Sequence, residues 1–172
     1  MQAPSLYSYF DSKHAIFDAM FAQGAQEYLD REALVPSVGE PLEVLKAGMR
    51  FFLQFCTENP VRYQLMFQRT IPGFEPSPET FEIAIAGLQC LQRRLEAIGI
   101  TDQRSLDLLT AVGTGLTDQQ ISNDPGGDRW ISLVDDAMEM YLDFVTATVH
   151  QHSTDQRSTD QQTVKEGKGT QR

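Results

Sequence analysis

Helix punctuation constrains this chain more than any other feature of its sequence. Capping residues and prolines repeatedly stand just ahead of apolar stretches spaced near 3.6 residues, and glycines or proline-rich breaks follow them. Strand signals are missing: no stretch sustains an apolar/polar alternation, and no Asn-Gly or Asp-Gly hairpin turn occurs. Asp11 or Ser12 caps a first helix carrying Ile16, Phe17, Met20, Phe21, Tyr28 and Leu29. The break at 35–41, with two prolines and a glycine, marks a domain boundary. From Pro41 to about Glu58 one stripe holds Leu42, Leu45, Met49, Phe52, Leu53 and Cys56, and a second holds Val44, Phe51 and Phe55. A helix apolar on two sides lies between other helices or borders a cavity.

Asn59 and Pro60 open a short helix to about Arg69, presenting Val61, Leu65 and Met66. After a proline-rich loop at 70–78, Ser77 and Pro78 open a helix with Phe81, Ala84, Ile85, Leu88, Leu91, Leu95 and Ile98 on one face, closed by Gly99. Thr101 is expected to cap the next helix, over 105–123, whose face holds Leu106, Leu109, Val112, Gly113, Leu116 and Gln120. A sharp turn at 123–127 leads to a last helix over 129–149. Its stripe of Trp130, Leu133, Val134, Ala137, Met138, Tyr141, Leu142 and Val145 fits a core or a dimer interface equally well. The expected fold class is therefore all-α, with the last two helices forming an antiparallel hairpin.

Beyond Val149 the sequence turns polar and nearly repeats Ser153-Thr154-Asp155-Gln156-Arg157, so 150–172 is expected to be a disordered tail. No apolar run approaches the roughly 18 residues that span a bilayer, and no signal peptide opens the chain. Cys56 and Cys90 share no metal or CxxC spacing. These features point to a cytoplasmic protein without membrane partners. The net charge of −10 opposes general affinity for nucleic acid, which rests on neutralising phosphates. Any DNA-reading role must sit in a local surface or outside this chain.

The first residues carry a specific resemblance. Ala3-Pro4-Ser5-Leu6-Tyr7-Ser8-Tyr9-Phe10-Asp11-Ser12-Lys13 resembles the recognition-helix signature of the tetracycline-repressor (TetR) family, in which a short helix ends in Leu-Tyr-x-aromatic-Phe and Ser-Lys opens the connecting helix. The stretch Asn123-Asp124-Pro125-Gly126-Gly127-Asp128-Arg129-Trp130 also looks like the turn before that family's last helix. The resemblance implies a partial helix-turn-helix head at 1–34 and a ligand-binding and dimerisation domain at 40–149. It places Ala3, Pro4, Ser5 and Ser8 at base edges, Tyr7, Tyr9 and Lys13 at phosphates, and Leu6 and Phe10 in the head's core.

It also implies two further helices ahead of Leu6, against which Leu6 and Phe10 would each bury about 1.5–3 kcal/mol. A two-turn recognition helix is too short to stand alone, so DNA binding by the chain as given is expected to be impaired. Met1 falls where the family carries an apolar residue after glycine, and Lys13 is the only Lys or Arg in 1–30, beside Asp11, Asp18, Glu27 and Asp30. We therefore expect in-frame codons upstream to encode the missing basic helices.

Catalytic constellations do not emerge. Of His14, His150 and His152, the pair His150-x-His152 is at most half a metal site and lies at the edge of the polar tail, and Gly113-Thr114-Gly115 and Gly126-Gly127 lack a phosphate-loop continuation. Asp135-Asp136 is expected on the outer face of the last helix, and Glu79 and Glu82 suit a helix's first turn. No enzyme activity, cofactor or metal is expected. The implied function is that of a small-molecule-responsive regulator, a repressor, acting as a homodimer through its last two helices on operator DNA. Its apolar ligand is expected against Phe51, Phe55, Tyr63, Met66, Phe67, Phe81, Ile85, Leu88 and Thr110. The alternative is a truncated dimerisation module without DNA binding of its own.

Overall fold

A computed structural model describes residues 10–148, and among these the regular structure is entirely helical. Its helices are α1 (Lys13–Glu32), α2 (Pro41–Glu58), α3 (Pro60–Phe67), α4 (Pro78–Ala97), α5 (Gln103–Asn123) and α6 (residues 134–148), the last preceded by a 3-10 turn at Ile131–Leu133. No helix of the described residues is long and apolar enough to cross a membrane. The tail at 150–172 lies outside the described residues.

Local chemistry sets most boundaries. Ser12 accepts a hydrogen bond from the Ala15 amide, Asn59 from Arg62 and Ser77 from Thr80, each satisfying an orphan donor of the first turn. Pro41, Pro60 and Pro78 occupy first-turn positions where no N–H is required. At the end of α4, Gly99 adopts φ +82°, which lets its own amide reach Glu96 O (3.0 Å) and the Ile100 amide reach Leu95 O (2.9 Å). This paired closure also brings Ile100 back onto Leu95 within the core.

Two boundaries differ from the expectation. Asp102, not Thr101, caps α5, because its carboxylate accepts from both the Ser105 amide (2.9 Å) and the Ser105 hydroxyl (2.8 Å). The last helix begins at 134 rather than 129. Fully buried Gln120 takes the Trp130 and Ile131 amides on its Oε1 (2.8 and 3.3 Å) and donates to the carbonyls of Asp124 and Gly127, which holds 124–131 as an ordered turn.

Helix α2 is the hub, with neighbours on several sides. Its Leu45, Met49 and Leu53 join Leu106 and Leu109 of α5 and Val134, Met138, Tyr141 and Val145 of α6 in the main core. The inner stripe of the last helix is therefore core within the single chain, with Met138 at 0% exposure. Buried Tyr141 donates to Ser105 O (3.0 Å) while Gln120 meets Trp130, so α5 and α6 run antiparallel. Ion pairs of Lys46 with Glu139 (2.8 Å) and Arg50 with Asp135 tie α2 to α6, so Asp135 is engaged rather than simply solvated.

Helix α1 lies alongside α4 in the same direction. Asp18 meets Ser77 and Thr80 where α4 begins, and Glu32 meets Arg94 where it ends. Between these ties, Phe21 and Ala25 pack with Leu65 of α3 and with Ile83 and Ala84 of α4.

Candidate ligand-binding cavity

The five helices α1 to α5 enclose a cavity of about 300 Å³, a size at the low end of small-molecule sites. Of the expected pocket residues, Phe51, Met66, Phe67, Phe81, Ile85, Leu88 and Thr110 stand in its wall. Phe55 and Tyr63 do not. Both are fully buried beside Cys56, behind the aromatic wall. The Arg62 guanidinium stacks 3.7 Å over Phe55, and the Tyr63 hydroxyl donates to Asp118 (2.8 Å). Phe81, Ile85 and Leu88, at 51%, 38% and 47% exposure, form an open apolar mouth along α4.

The contribution of α1 was missing from the sequence reading. Phe21, Ala25, Tyr28 and Glu32 recur at helical spacing along one face, and all four line the cavity. Tyr28 is central to the wall. Its ring meets Phe51 at 5.2 Å in a tilted pair and Phe55 and Phe67 edge-on at 5.1 and 6.2 Å. Edge-to-face pairs of this kind each add about 0.5–1.5 kcal/mol beyond area burial. Gly87 of α4 makes room for it, since a methyl group there would lie 3.1 Å from Tyr28 Cε1.

Polar groups in the wall are few, and most are spoken for. The hydroxyls of Thr110 and Thr114 donate to carbonyls of their own helix, Asp107 O and Thr110 O, both at 2.9 Å. The Arg94 guanidinium, whose side chain is 6% exposed, donates to Glu32 Oε1 through Nε (3.0 Å) and Nη2 (2.5 Å). It also donates to Pro36 O and, at 3.4 Å, to Val35 O, so one side chain fastens the end of α1 and the following linker to α4. The Tyr28 hydroxyl has no hydrogen-bond partner among the described residues, and its residue lines the cavity. Burial and then the charge of Glu32 push this phenol well above its ordinary range, which keeps it protonated.

At the far end of α1, Asp18 accepts from the Ser77 amide (2.8 Å), the Ser77 hydroxyl (2.9 Å) and the Thr80 hydroxyl (3.1 Å). Desolvation alone would raise its carboxyl, but these bonds outweigh it and hold the group below the usual carboxylate range. The tie therefore persists at neutral pH and is lost as pH falls through that lowered value.

Of the residues expected to face DNA, Ala3, Pro4, Ser5, Tyr7, Ser8 and Tyr9 lie outside the described residues. Lys13 is exposed at the first position of α1, its ammonium 5.4 Å from the Phe17 ring centre. Among the described residues no group of three or more His, Cys, Asp and Glu side chains is placed to hold a metal ion. The chain matches no family model, no curated protein and no solved structure.

Proposed function

We propose that this chain is the sensing and dimerising part of a TetR-type transcriptional regulator, a repressor that works in the cytoplasm without enzymatic activity. The observation that carries the reading is the composition of the cavity wall. One side of an apolar, ligand-sized space is α1, the helix that directly follows the segment resembling a recognition helix. A small apolar ligand entering past Phe81, Ile85 and Leu88 would touch α1 itself, so occupancy and the placement of a DNA-reading head would be linked without an intermediary. Dimerisation has its own support. With Val134, Met138 and Tyr141 turned into the core, α6 and the 3-10 turn before it still leave Leu133, Met140 and Phe144 at 39%, 64% and 48% exposure, an apolar row suited to an isologous partner face.

The test is sedimentation of the protein combined with selection from a random duplex pool, using the protein made from its genomic reading frame. We expect a dimer that enriches an inverted repeat, and Phe144→Asp to yield monomers that lose the enrichment. A monomer that selects nothing would defeat the reading. A dimer that selects nothing would put in its place a dimerisation module without DNA binding, which the net charge of −10 favours.

A further inference from the structure

The cavity's few polar atoms restrict its ligand more narrowly than its apolar lining does. Glu32 and Arg94 are the ionisable pair at the wall, and each neutralises the other. A carboxylate ligand would have to take Arg94 from Glu32 and from two backbone carbonyls. A cationic ligand would find Glu32 already engaged. The faces of Phe51, Phe52 and Phe67 would attract it, but by less than the cost of removing water from an unpaired charge. Neither charge sign has a counter-ion to meet.

Hydrogen bonding is narrowed in the same way. Thr110 and Thr114 have already given their hydroxyl protons to the backbone, so they offer lone pairs alone. Tyr28 keeps both its proton and its lone pairs, lines the cavity, and stands on α1 in the midst of the aromatic wall. A hydroxyl in such surroundings gains from a partner what it loses by being kept from bulk water.

We propose that the cavity takes an uncharged, ring-containing apolar molecule bearing one hydroxyl or carbonyl oxygen, and that Tyr28 is the residue that recognises that oxygen. The proposal rests on the reading of the cavity as a ligand site and adds the ligand's charge, its one polar group and the residue that meets it. The raised phenol supports it, because Tyr28 stays protonated, and so a donor, at neutral pH.

The experiment uses four probes on one ring skeleton: 2-naphthol, 2-methylnaphthalene, 2-naphthoate and 2-naphthylmethylammonium. Each is titrated at neutral pH into the full chain, into Tyr28→Phe and into Leu88→Trp, which blocks the mouth. Tyr28→Phe keeps the ring and its contacts, so folding is not at issue. We expect the two neutral probes to bind at least tenfold tighter than the two charged ones, and Leu88→Trp to abolish binding. The ratio of 2-naphthol to 2-methylnaphthalene affinity should fall about three- to tenfold in Tyr28→Phe, the size of one net hydrogen bond. An unchanged ratio overturns the role of Tyr28 while leaving the cavity reading in place. Tightest binding of either charged probe overturns the neutral-ligand assignment. Failure of all four, or binding that Leu88→Trp does not touch, overturns the cavity reading itself.

Discussion

The two sides of α2 are packed by different means. Toward α5 and α6, Leu53, Leu109, Val134, Met138 and Val145 are at 0–2% exposure and pack together as one aliphatic core. Toward α1, α3 and α4, and along the near face of α5, the wall is made of rings in tilted and edge-on pairs and of Gly48, Gly87 and Gly113, which contribute no side chain, and about 300 Å³ stays open. Flat, stiff rings cannot deform to fill the space between them. The open side is held at its margins instead, by Asp18 with Ser77 and Thr80 at one end of α1 and by Glu32 with Arg94 at the other. The contrast separates the two tasks: one face of α2 supplies stability, and the other supplies space.

The largest expected effect tests that separation directly. Met138→Asp places an unpaired carboxylate at a site with no exposure, and we expect a loss above about 4 kcal/mol, seen as unfolding or insolubility. Ile85→Asp makes the same chemical change at the mouth, where the carboxylate stays hydrated. It should move the urea midpoint by less than about 1 kcal/mol while removing binding of neutral aromatic probes. If Met138→Asp remains folded with its midpoint unchanged, the two sides of α2 do not differ as described.

A smaller effect should come from the tie at the end of α1. Arg94→Met leaves Glu32 largely buried without its guanidinium, and removing one partner of a buried pair costs about 3–5 kcal/mol. Adding Glu32→Leu removes the stranded charge, so the double variant should regain most of that loss in urea denaturation. A double variant no more stable than Arg94→Met would mean that Arg94 acts through the carbonyls of Val35 and Pro36, not through the pair.

How much of this was legible depends on how local the cause is. The starts of α1, α3 and α4 were readable because Ser12, Asn59 and Ser77 each satisfy an amide three residues ahead. The start of the last helix was not, because it is set by Gln120, ten residues earlier, reaching across the turn to Trp130. Periodicity put Phe55 on an inner stripe of its helix, but it carries no information about which interior Phe55 or Tyr63 faces. Arg62 and Asp118, which enclose them, come from other turns of the chain. Tyr28 was seen as an apolar position of α1, yet a role in the cavity requires knowing that α1 lies along α4. That follows from Asp18 and Arg94, more than 55 residues from their partners.

The smallest expected effect on stability lies at Gly87, where the two terms nearly cancel. Replacing glycine by alanine inside a helix contributes about 1 kcal/mol of helix stability. Opposing this, the added methyl would stand 3.1 and 3.2 Å from Cε1 and Cδ1 of Tyr28, so the ring must retreat by a few tenths of an ångström. In a filled core such crowding costs about 1–3 kcal/mol. Here the ring borders open volume and can move into it, which places the cost at the low end. Gly87→Ala should therefore keep the urea midpoint within about 1 kcal/mol of the parent. Binding is where the change should show, since the displaced ring narrows the cavity and carries the Tyr28 hydroxyl with it. We expect 2-naphthol affinity to fall several-fold, and its advantage over 2-methylnaphthalene to shrink as it does in Tyr28→Phe. A loss of more than about 2 kcal/mol in stability would show the wall to be as tightly packed as the core around Met138. Unaltered binding at full stability would show that the ring's position against Gly87 is not what the ligand meets.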